Sequence, residues 1–218
     1  MKPNFNLNDR VAVITGGGGA LGGCIAQSLS QSGVKIVILD LTQESAQRTV
    51  DAIEKEGGMA IGFSANVLSK KSMEDVSKEI LKKWGRIDIL LNAAGGNMPG
   101  ATIGVDQTIF DLSMDDFNKV TELNLNGSVI PSLDFGKIMA DQNSGSIINY
   151  SSMSVDRVIT RVVGYSASKA GIENFTRWMA VEMAHKFGSG VRVNAIAPGF
   201  FVGNQNRRLL LNEDGSYT

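Results

Sequence analysis

The sequence predicts a doubly wound α/β fold, a parallel sheet with helices on both faces, in one domain spanning residues 1–218. Three observations carry this. Short β-branched runs alternate with longer stretches of helical period. The runs are nearly continuously apolar, as strands covered on both faces must be. And 218 residues, 43% of them hydrophobic, suffice for one large core, with no repeat, linker or low-complexity tract to divide the chain.

VAVIT (11–15) is the first predicted strand, followed by the helical stretch ALGGCIAQSLSQSG. KIVILD (35–40) precedes QESAQRTVDAIEKEG, and MAIGFSA (59–65) precedes KKSMEDVSKEILKKWG. IDILLNAAG (87–95), SIINYSS (146–152) and VRVNAIAPG (191–199) are three further strands. Helical period also covers 114–140, where Pro131 is expected to kink or interrupt it. It covers 164–187 as well, with Ala167, Ala170, Gly171, Ile172, Phe175, Trp178, Met179 and Met183 as the predicted buried face.

Charge and composition exclude several functions. Twenty-one Lys and Arg against 22 Asp and Glu leave a net charge of -1, with no run of five or more basic residues, so neither nucleic acid nor an anionic membrane is an expected partner. The start MKPNFNLNDR lacks an apolar signal core, and no stretch approaches the roughly 18 apolar residues of a membrane span, which points to the cytoplasm. Cys24 is the only cysteine and His185 the only histidine, so no metal site is expected; Cys24 reads as small-residue helix packing.

Ligands of such sheets bind beyond the carboxyl ends of the strands, and the motifs fall there. VAVITGGGGALGG sets a glycine run between strand and helix, where residues without Cβ allow a tight turn and let a pyrophosphate approach the backbone. Gly17, Gly19 and Gly22 satisfy G-x-G-x-x-G literally, and the candidate cofactor positions of the loop are Gly16, Gly18, Gly19, Leu21 and Gly22. Asp40 ends the next strand 18 residues after Gly22 (40 − 22), near the spacing of an acid that binds ribose hydroxyls and repels a 2′-phosphate, which selects NAD over NADP. The alternative is a turn or capping acid, a role Thr42 fills equally well.

GYSASKAG places Tyr165 and Lys169 one helical turn apart. An ammonium roughly 4 Å from a phenol favours the phenolate by on the order of 4 kcal/mol at an effective dielectric of about 20. That is the arrangement of a general acid/base, and the small Ser166, Ala167 and Ser168 let a ligand come close. Ser152, at the end of the preceding strand, can hydrogen-bond a carbonyl or alkoxide meanwhile.

In order and spacing, TGGGGALG, LNAAG, LNLNGS, INYSS, YSASK and APG closely resemble the short-chain dehydrogenase/reductase family over almost the whole chain. The resemblance implies a Rossmann fold and hydride transfer between a nicotinamide and a carbinol carbon. It implies Ser152, Tyr165 and Lys169 as catalytic residues, with Asn124 holding a water in a proton relay. Tyr165 and Lys169 would also touch the nicotinamide ribose. Asn92, Ala93, Ala94 and Gly95 would lie beside the adenosine ribose, and Pro198 and Gly199 beside the nicotinamide. Asn66, with Val67 after it, replaces the aspartate usual at the adenine; Ala20 stands where glycine is usual, and Gly203 where threonine is common.

NAAGGNMPGAT, IINYSSM and the tail NAIAPGFFVGNQNRRLLLNEDGSYT are most similar to the D-mannonate oxidoreductase (fructuronate reductase) branch. That implies a sugar-acid substrate, with Asn97, Ser152, Arg161 and Asn206 as candidate contacts and Arg157, Gln205 and Arg207 also on the rim. Arg161, four residues before Tyr165, is the first choice for a carboxylate. A gluconate 5-dehydrogenase, a 3-oxoacyl reductase and a non-catalytic nucleotide-binding protein are the alternatives. Members of the family continue through a further helix and strand and assemble as tetramers or dimers, so the chain is expected to lack the last two elements.

Overall fold

Val11, Val13, Val37 and Leu90 pack into one apolar cluster while Ala12, Ile14, Ile36 and Leu91 pack into another, which is what alternation along a strand does when both faces are covered. The structure, a computed structural model, describes residues 6–200, Arg207 and residues 211–216. Its strands are β1 (Val11–Thr15), β2 (Lys35–Asp40), β3 (Ala60–Ser64), β4 (Ile89–Asn92), β5 (Gly145–Tyr150) and β6 (Val191–Ile196). All pair in parallel, in the order β3-β2-β1-β4-β5-β6.

The helices are α1 (Ala20–Ser30), α2 (Gln43–Lys55), α3 (Lys70–Trp84), α4 (Met114–Thr121), α5 (Gly127–Asp141) and α6 (Val163–Phe187). Ala26, Ala46, Val50 and Ile53 of α1 and α2 cover one face of the sheet. Met73, Val76, Ile80, Phe135, Met139, Met179 and Met183 of α3, α5 and α6 cover the other. The order reverses between β1 and β4, so a crevice opens beyond their carboxyl ends. No described helix is long and apolar enough to cross a membrane.

Three expectations are corrected. The helix of 114–140 is interrupted not at Pro131, which lies inside α5, but at a π turn, Glu122–Asn126. Pro131 lacks the N–H that would bond the carbonyl of Gly127, the first residue of α5, so it removes one rung of the ladder without ending the helix. The buried face of α6 is Gly164, Ser168, Lys169, Ile172, Thr176, Met179 and Met183, whereas Ala167, Ala170 and Trp178 point outward. Lys169 and Thr176 occupy part of the inner stripe because they have partners on β5. Cys24, expected inside, lies exposed on α1.

Candidate active site

The glycine run closes the turn between β1 and α1. Gly16 takes φ +63°, and a Cβ there would stand 2.8 Å from the backbone of Ala94, so glycine is required both by conformation and by the approach of the loop after β4. The literal G-x-G-x-x-G register is therefore offset from the residue that makes the turn. Gly18 lies against the backbone of Ser45, Gly22 against Gly16 O, and Gly19 is the N-cap of α1 with no side-chain hydrogen bond. Thr42, Ser69 and Ser113 by contrast cap α2, α3 and α4 with their hydroxyls. The positive end of α1 is thus left open toward the crevice, as an anion site requires.

Asp40 meets this loop at the end of β2. Its Oδ2 accepts Gly18 N–H at 3.0 Å and its Oδ1 accepts Leu41 N–H at 2.8 Å, while Thr42 takes the capping role. Each carboxylate oxygen keeps a further lone pair for a ligand hydroxyl. The glycine loop, open helix end and adjacent carboxylate together fit a dinucleotide without a 2′-phosphate. Asn66 is exposed and its Oδ1 accepts Leu68 N–H at 2.9 Å, which leaves its amide NH2 for a ligand. Val67 is turned inward against Gly127, and Leu21 is half-buried on α1.

Asn92 ends β4 with its side chain in the interior. Its Nδ2 lies 2.8 Å from Ser132 Oγ, 2.8 Å from Asn149 Oδ1 and 3.2 Å from Ser128 O, so only the backbone beyond it faces the crevice. Ala93 and Ala94 follow, Ala94 N–H donating to Thr15 Oγ1 at 3.1 Å. Gly95, at φ +154°, completes the approach: a Cβ there would lie 2.6 Å from Asn124 Oδ1 and 3.6 Å from Lys169 Nζ. The π turn, α6 and the end of β4 therefore converge on one point.

At that point Lys169 is 4% exposed, and burial pushes its ammonium pKa down to about 8. Its Nζ donates to Tyr150 O at 2.8 Å and stands 5.5 Å from the centroid of the Tyr165 ring. Tyr165 is half-buried. Asn124 is fully buried and its amide is committed: Nδ2 donates to Gly96 O at 2.7 Å and Val120 O at 2.8 Å, and Oδ1 accepts Gly96 N–H at 3.1 Å. Its side chain holds the loop after β4.

Ser152 lies just past β5, 8% exposed, its Oγ accepting Ser154 N–H at 3.2 Å. Pro198 and Gly199 follow β6, with Met153 Sδ 3.3 Å from where a Gly199 Cβ would stand, so the loops after β5 and β6 abut. Arg161 adopts φ +73°, a left-handed conformation unusual for its type. Its Nε donates to Ile103 O and its own carbonyl accepts Ile103 N–H at 3.0 Å, which clasps two rim loops together. Asn97 donates to Thr102 Oγ1 at 2.6 Å, its own Oδ1 buried without a partner among the described residues. Asn206, Gln205 and Gly203 lie outside the described residues; Arg157 and Arg207 are exposed.

The sequence reading passed over the buried polar network behind the site. Asn149 Nδ2 donates to Thr176 Oγ1 at 2.9 Å, and the chain continues through Asn92, Ser132 and Ser128 to Asn124 O. Asparagines inside otherwise apolar strands were its signal, because a buried amide needs partners.

The short chain dehydrogenase family model matches residues 10–213. An oxidoreductase of Bacillus subtilis (strain 168), UxuB, itself uncharacterized, is 43% identical over 98% of this chain and 78% of its own. The crystal structure of a provisionally assigned D-mannonate oxidoreductase from Haemophilus influenza, with bound NAD, superposes with a TM-score of 0.88 at 38% identity, over 99% of this chain and 79% of that one. NAD+-bound xylitol dehydrogenase superposes with a TM-score of 0.85 at 28% identity, over 94% and 76% of the respective chains.

Proposed function

We propose, since this chain belongs to the short-chain dehydrogenase family, that it is an NAD-dependent oxidoreductase interconverting a sugar acid and its keto form, D-mannonate and D-fructuronate. The observation that carries the reaction class is the meeting of Lys169, Asn124 and Gly95 beside Tyr165 at the carboxyl ends of β4 and β5. The glycine loop, the open N-terminus of α1 and Asp40 would hold the dinucleotide, with Pro198 and Gly199 at its nicotinamide end. When bound, that cofactor accepts or supplies a hydride.

The chain's own residues handle the proton. Tyr165 takes it from the substrate hydroxyl, or returns it in the reverse direction, while Ser152 Oγ hydrogen-bonds the same oxygen. Lys169 has three N–H donors and spends one on Tyr150 O, leaving two for a ribose hydroxyl and a water of the relay. Asn124 keeps the loop after β4 in place so that this water has a site. Arg161 has Nε tied to Ile103, so its terminal nitrogens are oriented for a carboxylate, with Asn97 and Asn206 as further substrate contacts.

The name of the Haemophilus relative supports the sugar acid. Exposed Leu133, Trp178 and Val181 on α5 and α6 support a homodimer or homotetramer, and a cytoplasmic location belongs to the same reading. NADH oxidation is the test, with D-fructuronate compared with other keto sugar acids and a 3-oxoacyl thioester. D-Fructuronate is expected to be turned over fastest; preference for another compound overturns the substrate and leaves the reaction class. Tyr165→Phe is expected to lower turnover at least 1,000-fold with NADH binding kept, in line with about 10²–10⁴-fold for acid/base groups. Unchanged turnover removes Tyr165 from the mechanism.

A further inference from the structure

α6 is latched to the end of β5 at three consecutive residues. Thr176 Oγ1 accepts Asn149 Nδ2 at 2.9 Å, Lys169 Nζ donates to Tyr150 O at 2.8 Å, and Glu173 Oε1 accepts Ser151 Oγ at 2.6 Å. The last is a hydroxyl on a carboxylate at short distance, a charge-assisted bond and so stronger than one between neutral groups. The other oxygen, Glu173 Oε2, is paired with Arg177 Nη2 at 3.0 Å, which orients the carboxylate. Ser151 is 3% exposed and its N–H donates to Ile196 O at 2.8 Å, so side chain and backbone alike are fixed between α6 and β6.

Glu173 lies one turn beyond Lys169 and two beyond Tyr165 on one face of α6. The helix that carries the proton-handling pair therefore also grips the residue immediately before Ser152. Beyond Ser152 the chain runs to α6 without a strand or helix, tied again at Arg161.

We propose that Glu173 is a positioning residue: through Ser151 Oγ it sets the backbone at Ser152 and so directs Ser152 Oγ at the substrate oxygen facing Tyr165. This rests on the reading of Ser152 and Tyr165 given above. Glu173 itself touches no substrate; its carboxylate acts only through the neighbouring peptide. Misplacing a reacting group by about 1 Å costs on the order of 100-fold in rate, so loss of the grip is a kinetic defect.

The test uses whichever keto substrate the wild-type protein turns over best, so it does not depend on which sugar acid that is. Glu173→Ala and Ser151→Ala are each expected to lower kcat by about 10- to 100-fold, with KM for NADH unchanged. Glu173→Gln, whose amide oxygen still accepts the hydroxyl, stays within about threefold. In a Ser152→Ala background, Glu173→Ala costs nothing further, because the group it aims is gone. A merely structural role predicts the same loss in both backgrounds, and that result, or wild-type kcat in Glu173→Ala, overturns the proposal. Should Glu173→Ala fail to fold, Ser151→Ala and its double variant with Ser152→Ala decide by the same comparison. Unchanged turnover in Ser152→Ala overturns the reading of the serine and this proposal together; a deficient Ser152→Ala beside a normal Glu173→Ala overturns this proposal alone.

Discussion

Lys169 is the residue where the proposed chemistry and stability pull apart. Burial disfavours its charged form, and the pKa falls from 10.5 to about 8. At pH 7 the ammonium is still the major form, so the charge beside Tyr165 is present there, held at a cost to folding. Between pH 8 and 10.5 the unfolded chain keeps a proton that the folded chain has released. Stability therefore rises with pH across this window, by up to about 3 kcal/mol for 2.5 pKa units at 1.36 kcal/mol each. Lys169→Met removes the titration, so urea unfolding without cofactor should show the wild type gaining on the variant from pH 8 to 10.5. Parallel pH profiles would mean that the lysine is solvated. At this scale the sequence was legible wherever spacing defines neighbours, as for Tyr165 and Lys169 on one helix face. It was not legible for Arg161, whose left-handed backbone and clasp on Ile103 arise from two loops meeting.

The elements were legible in their cores and not at their ends. β4 and β5 end at Asn92 and Tyr150, short of the apolar runs that predicted them, because the residues beyond turn out of the ladder to build the site. The π turn of 122–126 left no trace in the hydrophobic period; it carries Asn124, whose amide bonds Gly96 in the loop after β4. At the opposite end of the sheet, Asp88 joins the entries of β1 and β4. It is 4% exposed and accepts Arg10 Nη1 at 2.7 Å, Arg86 Nε at 2.8 Å and Val11 N–H at 2.9 Å. Desolvation is the largest single influence and raises its pKa, but Arg86, Val11 N–H and Arg10 together outweigh it and the pKa is lowered. This contribution is accordingly full above the ordinary carboxylate value of 3.8 and lost as pH falls through the lowered one. Both arginines are partly exposed, which weakens the pairing, so the main loss in Asp88→Ala is the buried Val11 N–H left without a partner. About 1–3 kcal/mol is expected from the shift of the urea midpoint at pH 7. An unmoved midpoint would show that the clamp contributes nothing.

For the whole molecule, the order of strands and helices was readable because one rule, short apolar strands between longer helical stretches, repeats from residue 11 to residue 196. The crevice was readable only in part, since it is assembled from loop ends whose contacts have no period. The same sheet serves both apolar clusters, Val13 facing one and Ile14 the other, so neither cluster persists without the strands of its neighbour. We expect residues 1–218 to unfold as one domain for that reason. Ile53→Ala on the α2 face and Met73→Ala on the α3 face each empty a fully packed position, at about 2–5 kcal/mol. Both should move a single transition, followed alike by far-UV circular dichroism and, in a Trp178→Phe background, by the fluorescence of Trp84, which packs against the α3-side cluster. NADH should move that transition upward as one, by mass action on the folded form. A first phase in Ile53→Ala that leaves Trp84 native would instead divide the two faces into separately folding layers, and a dinucleotide bound as proposed at the carboxyl ends of β1 and β4 would then stabilise only one of the two steps.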